Sequence, residues 1–361
     1  MRLHIGVNDK FLQNFIDIST ELKLEDENFF VLYGKEEIPF QRELNDKNVH
    51  ICDELTSIRE HLITLIDRSQ VIYIHYLSQQ VVHFLSEMDI VEKKIVWIFW
   101  GNDGFPLVND KIREIPSWNL RNLLGRIKRL FFKRKNSNAE EKRRFISKIN
   151  YFAHYIIEDF ELLKPLLAKD ANFLFFSYGV LEQIVKDNLI EGKDTLIGNS
   201  GDATSNHFYV LNSLLSKDMQ GNIIVPLGYA GESSYIKQLI EFGNKKFGKN
   251  FVPVTKTMNL DSYIKLLSSV QFSIMYHSRP QGWGNIMQLL WQGSKVFMFP
   301  SNTLYLFLKR NGFEVFPLTK KIEMMDWSAL EKDKKEKNRI LLKMHFGKQE
   351  LLKSYKYLLS I

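Results

Sequence analysis

The chain of 361 residues holds a single cysteine, Cys52, which excludes an internal disulfide and any cysteine-based metal cluster and suits the reducing cytoplasm. No run of roughly eighteen apolar residues occurs, so no membrane-crossing helix is expected. The opening run Leu3-His4-Ile5-Gly6-Val7 is too short for the core of a signal peptide and is expected to be a buried first strand. Also missing are a D-x-D triplet, a G-x-x-x-x-G-K-[ST] phosphate loop and histidines at helical metal-ligand spacing. A carboxylate clamp on a metal-bound diphosphate is therefore not expected, nor any bound metal or cofactor. Internal repeats and low-complexity tracts are absent too.

What is present describes a globular chain. Hydrophobic residues make up 45% and charged residues 25%, which rules out a disordered chain. The length fits two domains of ordinary size. The 27 Phe and 14 Tyr are enough to fill large cores and leave aromatic surface for ligand stacking. The net charge of +7 is concentrated: Arg121 to Lys148 carries eleven basic residues against Glu140 and Glu141, so that stretch is +9 and the rest of the chain is −2.

Apolar strands alternate with amphipathic helices along the first half. Strands are expected at Leu3 to Val7, Phe29 to Tyr33, Val49 to Cys52, Val71 to Tyr76 and Ile95 to Trp100, with Tyr155 to Ile157 and Phe173 to Phe176 extending the set. A second alternating set is expected from Thr195 to Met298. Such alternation predicts two α/β, Rossmann-like, doubly wound domains, with a cleft between the carboxyl ends of their strands. The expected domains are 1–185, then 186–338, with a helix over 339–361 packing back on the first.

Two glycine-bearing junctions stand where a strand hands over to a helix. One is Gly198-Asn199-Ser200-Gly201-Asp202, followed by Asn206; the other runs Tyr276-His277-Ser278-Arg279-Pro280-Gln281-Gly282-Trp283-Gly284-Asn285. Glycine lets backbone N–H groups approach a phosphate, the helix N-terminus favours negative charge, and Arg279 would offset a diphosphate. Ordinary capped turns are the plainer alternative, but two such junctions in one domain reinforce each other. Tyr229, just past a strand, is a candidate for stacking on a base. In the first domain, Asp103 at the tip of Trp97-Ile98-Phe99-Trp100 is the leading candidate base for a sugar hydroxyl, with His75 and Asp9 behind it; an Asp-Gly turn and a core histidine are the competing readings. The basic stretch 118–148 interleaves cations with Leu120, Leu123, Leu124, Ile127 and Phe131 in the manner of an interfacial helix drawn to anionic lipid. Arg121, Arg126, Lys128, Arg129, Lys133 and Arg134 are its expected contacts with the membrane or a lipid diphosphate. No nucleic-acid recognition module is evident.

Gly198-Asn199-Ser200-Gly201-Asp202 with Ser205-Asn206-His207, Val225-Pro226-Leu227-Gly228-Tyr229, Gln281-Gly282-x-Gly284 and Trp100-Gly101-x-Asp103 resemble the bacterial 4-acetamido-4,6-dideoxygalactose transferases of enterobacterial common antigen synthesis, glycosyltransferase family 56. The resemblance implies a GT-B fold and transfer of that amino sugar from a dTDP donor to an undecaprenyl-diphosphate-linked saccharide, by a peripheral protein on the cytoplasmic face of the inner membrane. Inversion and retention are both open, as are an inactive GT-B scaffold serving an assembly complex and a nucleotide-sugar epimerase.

Overall fold

The computed structural model describes residues 1–23, 27–34, 48–108, 137–187, 190–214, 220–318 and 326–361. They divide into two compact units, one formed by 1–108, 137–180 and 348–361, the other by 181–347.

Among the described residues seven strands build the first unit: β1 (Arg2–Val7), β2 (Asn28–Tyr33), β3 (Val49–Cys52), β4 (Val71–His75), β5 (Lys94–Ile98), β6 (Tyr151–His154) and β7 (Asn172–Phe175). All pair in parallel, in the order β3-β2-β1-β4-β5-β6-β7. Every residue of β4 is buried, as expected for a parallel strand covered on both faces. Leu12, Phe15 and Ile16 of the helix Lys10–Glu21 share one core with Phe30, Tyr73, Val96 and Phe176, completed by Leu351, Tyr355 and Leu358 of the helix Lys348–Leu359. The Tyr73 hydroxyl also donates to the Leu358 carbonyl at 2.7 Å.

The second unit has, among the described residues, six parallel strands: β8 (Asp194–Ile197), β9 (Ile223–Pro226), β10 (Phe251–Val254), β11 (Val270–Met275), β12 (Lys295–Met298) and β13 (Phe316–Pro317). Their order is β10-β9-β8-β11-β12-β13. In both sheets the order reverses beside the first strand. Ligands of doubly wound sheets sit at the carboxyl ends flanking such a reversal. Here those ends are Asn8–Asp9 and His75–Tyr76 in the first unit, and Gly198 and Tyr276 in the second.

Three elements differ from expectation. The sixth strand is Tyr151–His154, not Tyr155 to Ile157. The run Tyr151 to Ile157 is continuously apolar but for His154, so periodicity cannot place a strand within it. Pairing decides: Asn150 Oδ1 accepts from the Ile95 N–H at 2.8 Å and sets Tyr151 opposite Val96, while acidic Glu158 and Asp159 favour a helix start at Ile157. The tail holds two helices, Lys332–Phe346 in the second unit and Lys348–Leu359 in the first, separated at Gly347. β13, only two residues long, is too short to leave a pattern. Arg121, Arg126, Lys128, Arg129, Lys133 and Arg134 lie outside the described residues.

Candidate functional site

In the second unit, β8 runs out at Gly198, whose φ of +69° turns the chain back over the sheet. A Cβ there would stand 2.7 Å from His207 Nε2, so glycine is required by space as well as by backbone angle. Asp202 then caps the turn, accepting from the Thr204 N–H and hydroxyl, both at 2.8 Å. Burial works against the Asp202 carboxylate, but the two Thr204 hydrogen bonds, with Arg279 and His207 nearby, hold its pKa below the ordinary carboxylate value.

The junction after β11 is tied directly to this turn. Gln281 Nε2 donates to Ser205 Oγ (3.2 Å) and Asn199 Oδ1 (3.4 Å), and its Oε1 lies 3.0 Å from the Thr204 hydroxyl. Asn206, itself at φ +53°, donates from Nδ2 to the carbonyls of Thr204 and Tyr276. Gly282, at φ +69°, presses on Asn199: an added Cβ would meet Asn199 Cγ at 2.8 Å. From Gly282 the helix Trp283–Gln292 starts, and its first intrahelical backbone bond, Ile286 N–H to Gly282 O, leaves the N–H groups of Trp283, Gly284 and Asn285 directed out of the helix. A Cβ on Gly284 would meet only Ile184, at 3.7 Å, so the backbone at this helix start is open. Backbone N–H groups and the helix dipole thus meet at the reversal of the sheet, with Arg279 near enough to Asp202 and His277 to act on both.

The loop after β9 closes the other side. Gly201 N–H donates to the Tyr229 carbonyl at 2.9 Å, and Ala230 (φ +54°) and Gly231 (φ +93°) turn against Gly201. The Tyr229 side chain is 75% exposed, and the loop carrying it packs on Lys256 and Thr257 through Gly228. Tyr276 has a different place: its ring is buried and stacked on Tyr209 at 4.8 Å, so what it offers the loops is its carbonyl. Thr204, His207 and His277 lie within the two junctions but have no role assigned from the sequence; the two histidines are buried. Burial above all lowers their pKa values, to about 4 and about 3, so both are neutral at pH 7.

The three carboxyl-edge candidates of the first unit have unlike surroundings. Asp103 is 1% exposed and accepts from the indole N–H of Trp97 (2.7 Å), the Leu77 N–H (3.0 Å) and the Trp100 N–H (3.1 Å). It therefore pins the loops after β4 and β5 together. Burial pushes its pKa up, against those donors and the Lys142 ammonium. His75 is fully buried in a directed chain. The Trp100 indole N–H donates to the Tyr178 hydroxyl (3.0 Å), which donates to His75 Nδ1 (2.6 Å); His75 Nε2 donates to His4 Nδ1 (3.0 Å), and His4 Nε2 to Asn28 Oδ1 (3.4 Å). The Asn28 amide oxygen only accepts, and with both imidazoles neutral that fixes the direction of each link back to the Tyr178 hydroxyl. Burial, and then the neighbouring imidazole of His4, hold the His75 pKa well below its usual value. Both ring nitrogens of His75 are engaged. Asp9 alone of the three is half-buried; its Oδ1 accepts from the Phe11 N–H at 2.8 Å and caps the helix Lys10–Glu21.

Two doubly wound units of this kind are the architecture of the GT-B class. The chain matches, over residues 6–335, the family described as 4-alpha-L-fucosyltransferase, glycosyl transferase group 56, and it belongs to that family. It is a hexosyltransferase. Solved structures with the same fold include Anabaena HepE in complex with UDP, with a TM-score of 0.68, 9% identity and 99% of each chain covered. Sucrose-phosphate synthase of Thermosynechococcus elongatus is similar with a TM-score of 0.65 at 10% identity, over 100% of this chain and 98% of that one. The α,α-trehalose-phosphate synthase (UDP-forming) of Burkholderia vietnamiensis gives 0.61 at 9% identity, over 100% and 99%.

Proposed function

We propose that the protein transfers an N-acylated 4-amino-4,6-dideoxyhexose from a dTDP-sugar, or a related nucleotide-sugar, to an undecaprenyl-diphosphate-linked saccharide in cell-surface polysaccharide synthesis. The observation that carries the donor half is the Gln281 tie, which sets the Gly198 turn beside the open start of the helix Trp283–Gln292, with Arg279 near Asp202 of that turn. The diphosphate lies there against backbone N–H groups, without a metal ion, and Tyr229 stacks on the base. UDP and UDP-glucose complexes of Anabaena HepE, which shares the fold, support a nucleotide donor. On the acceptor side Asp9 is the activating base, because Asp103 and His75 are enclosed by partners. The test is donor hydrolysis and transfer to lipid-linked saccharide with dTDP- and UDP-sugars, with and without EDTA. Turnover that survives chelation is expected; turnover abolished by EDTA and restored by a divalent ion refutes the metal-free site.

Gln281→Ala cuts the ties to Asn199, Thr204 and Ser205. Loss of about 1–1.5 kcal/mol of positioning is expected to weaken dTDP binding about five- to tenfold. Calorimetric titration checks it, alongside a melting curve that should barely move because Gln281 is half-buried.

Among the described residues no helix is long and apolar enough to cross a membrane. The protein docks peripherally on the cytoplasmic face of the inner membrane through the basic stretch 118–148, at about 1 kcal/mol per cation near an anionic surface. Reversing Arg126, Lys128, Arg129 and Lys133 to Glu is expected to abolish flotation with anionic liposomes and leave dTDP binding intact. Wild-type protein that fails to float at low salt contradicts this docking.

A further inference from the structure

The carboxyl edge of the first unit carries an aromatic cluster beyond the carboxylates already described. The Trp100 ring is half-buried and, among the described residues, has as aromatic neighbours Phe11 at 5.3 Å, Tyr76 at 5.6 Å and Tyr178 at 5.7 Å between centroids. Phe11 is 42% exposed although it opens an otherwise well-packed helix. Tyr76 stands at φ +72°, a region a bulky residue enters only at a cost of about 1–3 kcal/mol. Asp103 holds that conformation in place by accepting from the next N–H, that of Leu77, while also gripping the Trp100 N–H. The indole is fixed in addition at its far end, through Nε1 to Tyr178 and the buried His75–His4–Asn28 chain. Strain and a fully connected polar network are thus spent on the orientation of one half-exposed ring.

We propose that Trp100, flanked by Phe11 and Tyr76, is a rigid platform for the apolar face of a pyranose ring of the acceptor saccharide. The groups around the platform favour a sugar over an isoprenoid chain. Asn102 hydrogen-bonds the Tyr76 hydroxyl, Asp9 caps the helix on which Phe11 stands, and Ser78 accepts from Tyr33 at 2.7 Å. Each of these groups has capacity for a further hydrogen bond beyond the one named, which a ring of hydroxyls can use and a polyprenyl tail cannot. The platform lies at the sheet reversal, where ligands of this fold class are held. Tyr178 and His75 act as positioning residues: they touch the indole or its holder, and the sugar touches the indole. This inference rests on assigning the first unit to the acceptor.

The experiment uses the full-length protein labelled with 5-fluorotryptophan, in which Trp100→Phe identifies one of the six tryptophan resonances. Methyl glycosides of glucose, galactose, N-acetylglucosamine and N-acetylmannosamine are titrated at high millimolar concentration, undecaprenyl phosphate is added in a separate arm, and dTDP binding is measured on every sample. A glycoside-dependent shift of the Trp100 resonance is expected. Tyr178→Phe should weaken that glycoside about fivefold, by leaving the indole N–H without its acceptor, while dTDP affinity stays unchanged. No shift with any glycoside, or a shift with undecaprenyl phosphate alone, overturns the platform while dTDP still binds. A folded Tyr178→Phe protein with unaltered glycoside affinity overturns the positioning chain. Loss of dTDP binding in the wild-type protein refutes the donor reading instead.

Discussion

Acidification is expected to unfold this protein steeply between about pH 6 and about pH 5. Burial, as the largest cause, holds His4, His207 and His277 at about 3, about 4 and about 3, and His75 well below its usual value. Unfolding returns each imidazole to water and to a pKa of about 6.5. Between the folded and unfolded values the unfolded chain binds more protons, so stability is complete above about pH 6.5 and falls as the pH drops. Each histidine adds a slope approaching about 1.4 kcal/mol per pH unit, and four together approach about 5 kcal/mol per unit. A whole domain has only about 5–15 kcal/mol to lose. Circular dichroism across pH 7 to 4 with denaturant titrations checks this. A denaturant midpoint unchanged from pH 7 to 5 contradicts neutral, enclosed imidazoles.

The second large effect concerns Asp103. Its removal strands the indole N–H of Trp97 and the backbone N–H groups of Leu77 and Trp100. A buried donor without its partner costs about 1–3 kcal/mol, so Asp103→Ala is expected to lower stability by about 3–5 kcal/mol. Asp103→Asn keeps one acceptor oxygen and is expected to lose about 2 kcal/mol. Urea unfolding gives both values, and transfer rates taken where each variant is fully folded separate structure from chemistry. A variant as stable as wild type that nonetheless transfers a hundredfold more slowly would make Asp103 the base.

The sheets were legible because parallel strands buried on both faces write themselves as apolar blocks between helical patterns. The glycines at 198 and 282 were legible for a related reason: each stands in the junction between a strand and a helix, and both adopt φ > 0, which glycine enters without steric cost. The buried chain from Trp100 to Asn28 was not. It joins residues on β1, β2, β4 and the segments past β5 and β7, and only the sheet register brings them together: His4 stands opposite Tyr73 and Gly6 opposite His75, so the two imidazoles are diagonal neighbours on one face. Gly6 has no side chain, and a Cβ there would collide with His75 Cβ at 2.7 Å. Nor does a sequence reveal burial. An Asp-Gly turn looks the same whether its carboxylate faces solvent or, as at Asp103, three enclosed donors.

A crystal structure with dTDP bound decides where the donor sits. The diphosphate is expected on the N–H groups at the start of the helix Trp283–Gln292 and the Gly198 turn, with Arg279 against its oxygens, no metal ion bridging them, and Tyr229 over the base. A diphosphate bound elsewhere, or held through a cation on carboxylates, would contradict this placement.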